Sequence, residues 1–163
     1  MFLACGMLMS TATFAQALKI GYIDSRELLV AMPEVKKADS ALQLYAKAFQ
    51  DQLMSMQQEL EKKGKEYQAN EKTMTEPVKE VKQKEVYDLQ SRMEGLQSSA
   101  QEKIQSKKEE LYKPIIDKAT KAVKDVAKEK AYDYVFDLAQ GSLLVYRDGD
   151  NMMPAVKAKL GLK

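Results

Sequence analysis

The stretch "NEKTMTEPVKE", residues 70–80, lies between two long segments that each read as amphipathic helix. Its reading decides the fold. One unbroken helix from residue 34 to residue 130 would run for about 145 Å at 1.5 Å per residue. In isolation it could not bury its apolar stripe. Pro77 inside such a helix costs about 3 kcal/mol, and it disfavours helical geometry at Glu76 before it. Thr73 and Thr75 start helices rather than continue them. The economical solution is a break at 73–77 followed by a return helix, with each leg reaching roughly 55–65 Å. A kinked single helix in a parallel coiled coil is the competing solution. The strand-like segments at both chain ends favour the hairpin, because it brings them together.

The first leg carries heptads. Leu42, Ala46, Phe49, Leu53, Met56, Leu60, Lys63, Tyr67, Asn70 and Met74 are spaced alternately by four and three, which is a coiled-coil seam. Its two polar members, Lys63 and Asn70, lie in the distal part, so the seam weakens toward the proline. On the return leg Val86, Leu89, Met93, Leu96 and Ala100 keep this spacing. The register then slips, and the apolar set continues from Ile104 through Leu111, Ile115, Ala119, Ala122, Val123 and Val126. Met74 and Met93 read as seam fillers. Met54 falls off the seam and is the best methionine for an adaptable contact with a bound chain. Gly64 and Gly95 interrupt the two legs, and each costs about 1 kcal/mol relative to alanine. They are expected to soften the arm.

The chain ends differ in kind. "LKIGYIDS" (18–25) alternates as a strand, with Leu18, Ile20 and Tyr22 on one face. Asp24 and Glu27 have the spacing of a capping box for a short helix ending near Pro33. After about Lys130 the chain turns aromatic and β-branched. "YDYVFDLA" (132–139) and "SLLVYRD" (142–148), separated by Gln140-Gly141, predict a β-hairpin. A short helix with Pro154 near its start closes the chain. Ile20, Tyr22, Val135, Phe136, Leu144 and Tyr146 form a dense apolar set on these short strands. A sheet this small is marginal alone, and pooling strands between copies would cover its edges. A monomeric sheet packed on its own helices is the alternative.

Composition excludes much chemistry. The 163 residues include no histidine and a single cysteine, Cys5. Histidine-based acid–base catalysis, Cys-His dyads and zinc sites of the usual ligand types cannot be built. Lysine plus arginine number 26 against 24 acidic residues, a net charge of +2. That balance lacks the basic excess of a nucleic-acid binder. "GKEYQ" has no upstream glycine for a phosphate loop, since position 59 is Glu. "DGDN" (148–151) lacks the acidic spacing of an EF-hand loop. An enzyme is not expected.

Residues 1–17, "MFLACGMLMSTATFAQA", carry no charge, and Ala15-Gln16-Ala17 fits the pattern cut by signal peptidase. They read as a signal peptide, too short to span a membrane with ease. No basic segment leads it, as would follow if the true start lay upstream. A buried N-terminal helix and a lipoprotein acylated at Cys5 are the alternatives. Removal after Ala17 would leave a mature chain without cysteine.

The layout, and "KIGYIDSRELLVAMPEVKKAD" (19–39) with "YDYVFDLAQGSLLVYRD" (132–148), resembles the Skp/OmpH family of periplasmic chaperones. Gly21-Tyr22-Ile23-Asp24, Leu28-Leu29, Met32-Pro33-Glu34 and Ala38 resemble the family's opening pattern, and the final "VKAKLGLK" suits its C-terminus. The resemblance implies a mainly α protein with a small β body and a long antiparallel helical hairpin projecting as a coiled-coil arm. Residues 18–33 and 130–163 would form the oligomerisation body and 34–129 the arm, with Thr75 and Pro77 at its tip. It further implies a homotrimer whose arms enclose a cavity for unfolded outer-membrane β-barrel proteins, working without ATP or metal. Some members are thought to touch lipopolysaccharide or membrane through basic residues. The arm here alternates Lys with Glu, as in "EKKGKE" and "KEVKQKE", and offers no matching cluster. The rival reading is a structural coiled-coil scaffold of the envelope, which would use the same heptads for one permanent partner.

Overall fold

The computed structural model describes residues 18–141 and 143–162. The segment 1–17, read above as a signal peptide, lies outside them, as does Ser142. Strand β1 (Ile20–Ile23) leads through Asp24 into helix α1 (Ser25–Ala31). Asp24 Oδ1 accepts from the backbone N–H of Arg26 at 2.9 Å and of Glu27 at 3.1 Å, so the helix starts where its orphan donors find a carboxylate. The capping box is half formed. The Glu27 carboxylate turns instead to Lys157 Nζ, 3.1 Å away.

Helix α2 (Pro33–Asn70) and helix α3 (Glu76–Glu129) make the antiparallel hairpin that Pro77 predicts. They are about 57 and 81 Å long by their residue counts. Pro33 and Pro77 stand in the first turns of these helices, where a missing N–H costs nothing. The chain reverses over residues 71–75. Four cross-helix contacts set the register. Lys118 bonds Glu34, and Tyr112 bonds Asp39. Lys63 Nζ lies 2.9 Å from Glu85 Oε2, and Gln83 Nε2 lies 2.7 Å from the Tyr67 oxygen.

Strand β2 (Tyr134–Asp137) pairs with β1 in parallel, Ile20 opposite Tyr134 and Ile23 opposite Asp137. Here the sequence reading needs correction. The expected hairpin of 132–139 with 142–148 does not form, and residues 143–147 make no strand. Asp137 is the reason. Its Oδ1 accepts from Ser25 N and from Ala139 N, both at 3.0 Å. The chain therefore curls into a 3-10 turn over Leu138–Gln140, and Gly141 ends the turn at φ +66°. The other edge of β1 is occupied further on. Met152 N donates to Tyr22 O at 2.9 Å, and Tyr22 bridges to Asn151. A second 3-10 turn (Asp148–Asp150) precedes helix α4 (Met153–Leu160).

One core gathers at the base of the hairpin. Ile23 of β1, Leu28 of α1, Met32, Ala38 of α2, Ile115, Ala119, Ala122 and Val126 of α3, and Met152, Met153 and Val156 at α4 pack together. The alanines on α3 let α1 and α4 approach closely. Gly21 belongs to this packing. A Cβ there would stand 2.8 Å from Met152 Sδ and 3.0 Å from the Tyr132 ring.

Candidate binding surfaces on the body and the arm

The two-stranded sheet has two unlike faces. Gly21, Ile23 and Val135 turn toward the core or pack on it. Ile20, Tyr134 and Phe136 remain exposed, together with Leu18 before the strand. Tyr22 is buried, and its ring meets Tyr146 at 4.4 Å between centroids. Burial pushes the Tyr22 phenol up from its ordinary pKa, with the nearby Asp148 carboxylate adding to the effect. A groove of about 760 Å³ runs along this side, lined by Leu18, Ile20, Tyr22, Phe136, Val145 and Tyr146. Leu144 is 93% exposed and Val145 88%. A contiguous exposed apolar patch marks a contact surface.

Of the six body residues expected from sequence, five therefore lie on or beside this outward side. Val135 does not. It sits half-buried on the inward face, at a second, mainly apolar groove of about 510 Å³ between α1, α3 and β2. Leu18, Tyr134 and Val145 join the outward patch but were not in the expected set. For Val145 the missing signal was the assumption of strand alternation, which a segment without strand geometry does not obey.

On the arm, Leu42, Phe49, Leu53, Met56, Leu60, Tyr67, Met93 and Leu96 are half-buried between the helices, and Leu89 is fully buried. Thr75 stands just before α3 with Pro77 in its first turn, at the tip. Met54 is 59% exposed. Leu44, Val78, Val81 and Tyr87 are exposed as well. Their only sequence signal is that they are apolar residues off the seam. The remaining arm surface is charged, with Lys47–Asp51, Lys107–Glu110 and Lys113–Asp117 as pairs along single helices.

Among the described residues no group of three or more His, Cys, Asp or Glu is placed to hold a metal ion. No described helix is long and apolar enough to cross a membrane. The surfaces on offer are thus an apolar sheet side on the body and a polar arm with scattered apolar side chains.

A family model described as outer membrane protein (OmpH-like) matches residues 19–160. The chain belongs to this OmpH-like family. An OmpH-like protein of Caulobacter crescentus CB15, whose solved structure is described as that of an outer membrane chaperone, superposes with a TM-score of 0.78. It is 14% identical, and the match covers 94% of this chain and 90% of that one. This likeness shows the OmpH-like fold, a mainly helical protein with a long hairpin and a small sheet. An uncharacterised protein of Aquifex aeolicus (strain VF5) is 31% identical over 121 residues, 74% of each chain.

Proposed function

We propose that this OmpH-like chain is a holdase chaperone of the periplasm. It binds unfolded outer-membrane β-barrel proteins without ATP, and it works as a homotrimer whose arms enclose the client. The observation that carries the reading is the apolar side of the body, with Leu144 and Val145 almost wholly in water. A single copy leaves it uncovered, and the free edge of β2 lies beside it. Strands pooled from three copies would cover both. The arms would then project from one centre.

The arm suits weak, adaptable capture. Its charged coat keeps it soluble, and Leu44, Met54, Val78, Val81 and Tyr87 offer separate apolar contacts. The family membership and the chaperone description of the Caulobacter protein support the same reading. Binding, and not catalysis, is the work such a surface can do. Residues 1–17 would direct export and then be removed, leaving 18–33 and 130–163 as the oligomerisation body and 34–129 as the arm.

The test is a native mass spectrum of residues 18–163 mixed with a urea-unfolded outer-membrane barrel and diluted. The expected species is three copies with one client. A free trimer beside aggregated client would replace the holdase with an envelope scaffold. A monomer without client would remove both trimer and holdase. Leu144→Asp/Val145→Asp should give a folded monomer by the same measurement.

A further inference from the structure

The interface between α2 and α3 changes character from base to tip. Up to Leu89 it excludes water in places, and Ala38, Ala100 and Leu89 are buried. Residues 39–60 and 61–88 alike contain no fully buried residue, but the half-buried positions over 39–60 are apolar or aromatic, Leu42, Phe49, Leu53, Met56 and Leu60 among them, whereas over 61–88 they include Lys63, Lys79, Lys82 and Glu85. The cross-helix contacts there are polar. Lys63 Nζ donates to Glu85 Oε2 at 2.9 Å, and Gln83 Nε2 donates to the Tyr67 oxygen at 2.7 Å. Lys82 stands 3.5 Å from Glu85, and Glu59 3.9 Å from Lys63.

A shallow surface groove of about 470 Å³ lies at this level, lined by Glu59, Lys63, Glu85, Asp88, Ser91 and Arg92, every one polar. Gly64 adjoins Lys63, and a Cβ there would meet no neighbouring atom within 4 Å. Glycine is a poor helix former, so α2 is intrinsically weak at the same level. Three features thus coincide: charged side chains at the half-buried positions, a polar groove, and a glycine.

The geometry points to a latch. The distal arm, residues 61–88, opens and closes as a unit of its own, held shut by Lys63–Glu85 and Tyr67–Gln83, while the proximal seam stays packed. Local opening of this kind belongs where few apolar contacts resist it. Ion pairs in water weaken with salt, whereas apolar contacts do not. Opening releases Tyr67 and Met74, both half-buried when shut. Their use by a bound client rests on the holdase reading, but the latch itself does not.

Hydrogen exchange of the full chain, read by mass spectrometry at about 20 mM and about 1 M salt, tests it. Peptides within 61–88 should exchange faster than those within 40–58 and 89–110. High salt should speed the distal peptides about two- to five-fold and leave the others unchanged. Glu85→Gln should reproduce the high-salt rate at low salt. Lys63→Leu/Glu85→Leu should slow distal exchange and abolish its salt dependence, because it continues the apolar seam. Equal exchange in the two regions overturns the latch. So does a salt effect shared by both, or a Glu85→Gln variant that exchanges as the wild type does.

Discussion

Asp137 and Ser25, separated by 112 residues, are joined by a 3.0 Å hydrogen bond from the Ser25 backbone N–H to Asp137 Oδ1. The bond ties the end of β2 to the first turn of α1. The same oxygen receives the N–H of Ala139. One carboxylate therefore closes the ring of the body and ends the strand.

Burial pushes the Asp137 carboxyl up, but the Ser25 and Ala139 N–H groups, with Arg26 nearby, outweigh it and hold it below the ordinary aspartate range. The folded pKa is depressed, so the stabilisation is present above the unfolded value and is lost as pH falls through the folded one. Asp137→Ala should lower stability by about 1 kcal/mol at neutral pH. The deficit should shrink in acid, where the wild-type carboxyl is protonated too. Urea denaturation at neutral pH and at pH about 3 checks both statements.

Gly21→Ala should be more damaging. Its new methyl would meet Met152 Sδ at 2.8 Å and the Tyr132 ring at 3.0 Å, in a core where Met152 is 1% exposed. Overpacking of this kind costs about 1–3 kcal/mol. A fall in Tm with an unchanged helical signal is the expected result. An unchanged Tm would mean that Met152 yields freely.

Ala131 ends α3 at φ +53°, a left-handed position held by a non-glycine residue. Tyr132 N then reaches back to Ala127 O at 2.9 Å, closing the helix end. Ala131→Gly should stabilise the protein by about 1 kcal/mol, since it removes the Cβ clash of this conformation. Thermal unfolding should show a raised midpoint.

Leu89 and Leu44 separate packing from composition. Leu89 is 1% exposed and Leu44 69%. Leu89→Ala should cost about 2–5 kcal/mol. Leu44→Ala should stay within about 0.5 kcal/mol. Under the proposed function, Leu44→Ala should instead weaken client capture, measured by suppression of barrel aggregation.

Much of the arm was legible in advance. The four-three spacing from Leu42 to Tyr67 marks residues that the structure places between the helices, because helical periodicity is a local property of the chain. Pro77 located the reversal only together with Thr73 and Thr75, since Pro114 stands inside α3 without ending it. Met54 read as off the seam and is exposed. The body was less legible. Residues 142–148 have strand composition, yet composition does not say whether a partner strand is within reach.

What the sequence determined by itself is the period of the arm, its turning point and the absence of histidine chemistry. These depend on residues close together in the chain, or on simple presence. Only the tertiary structure decided that β1 and β2 pair in parallel, that Asp137 diverts the chain at Leu138, that Val135 faces inward, and that polar contacts join the helices of the distal arm. Each of these joins residues distant in sequence. The Ser25 N–H that selects the turn at Asp137 is brought there by the folding of the whole hairpin between them.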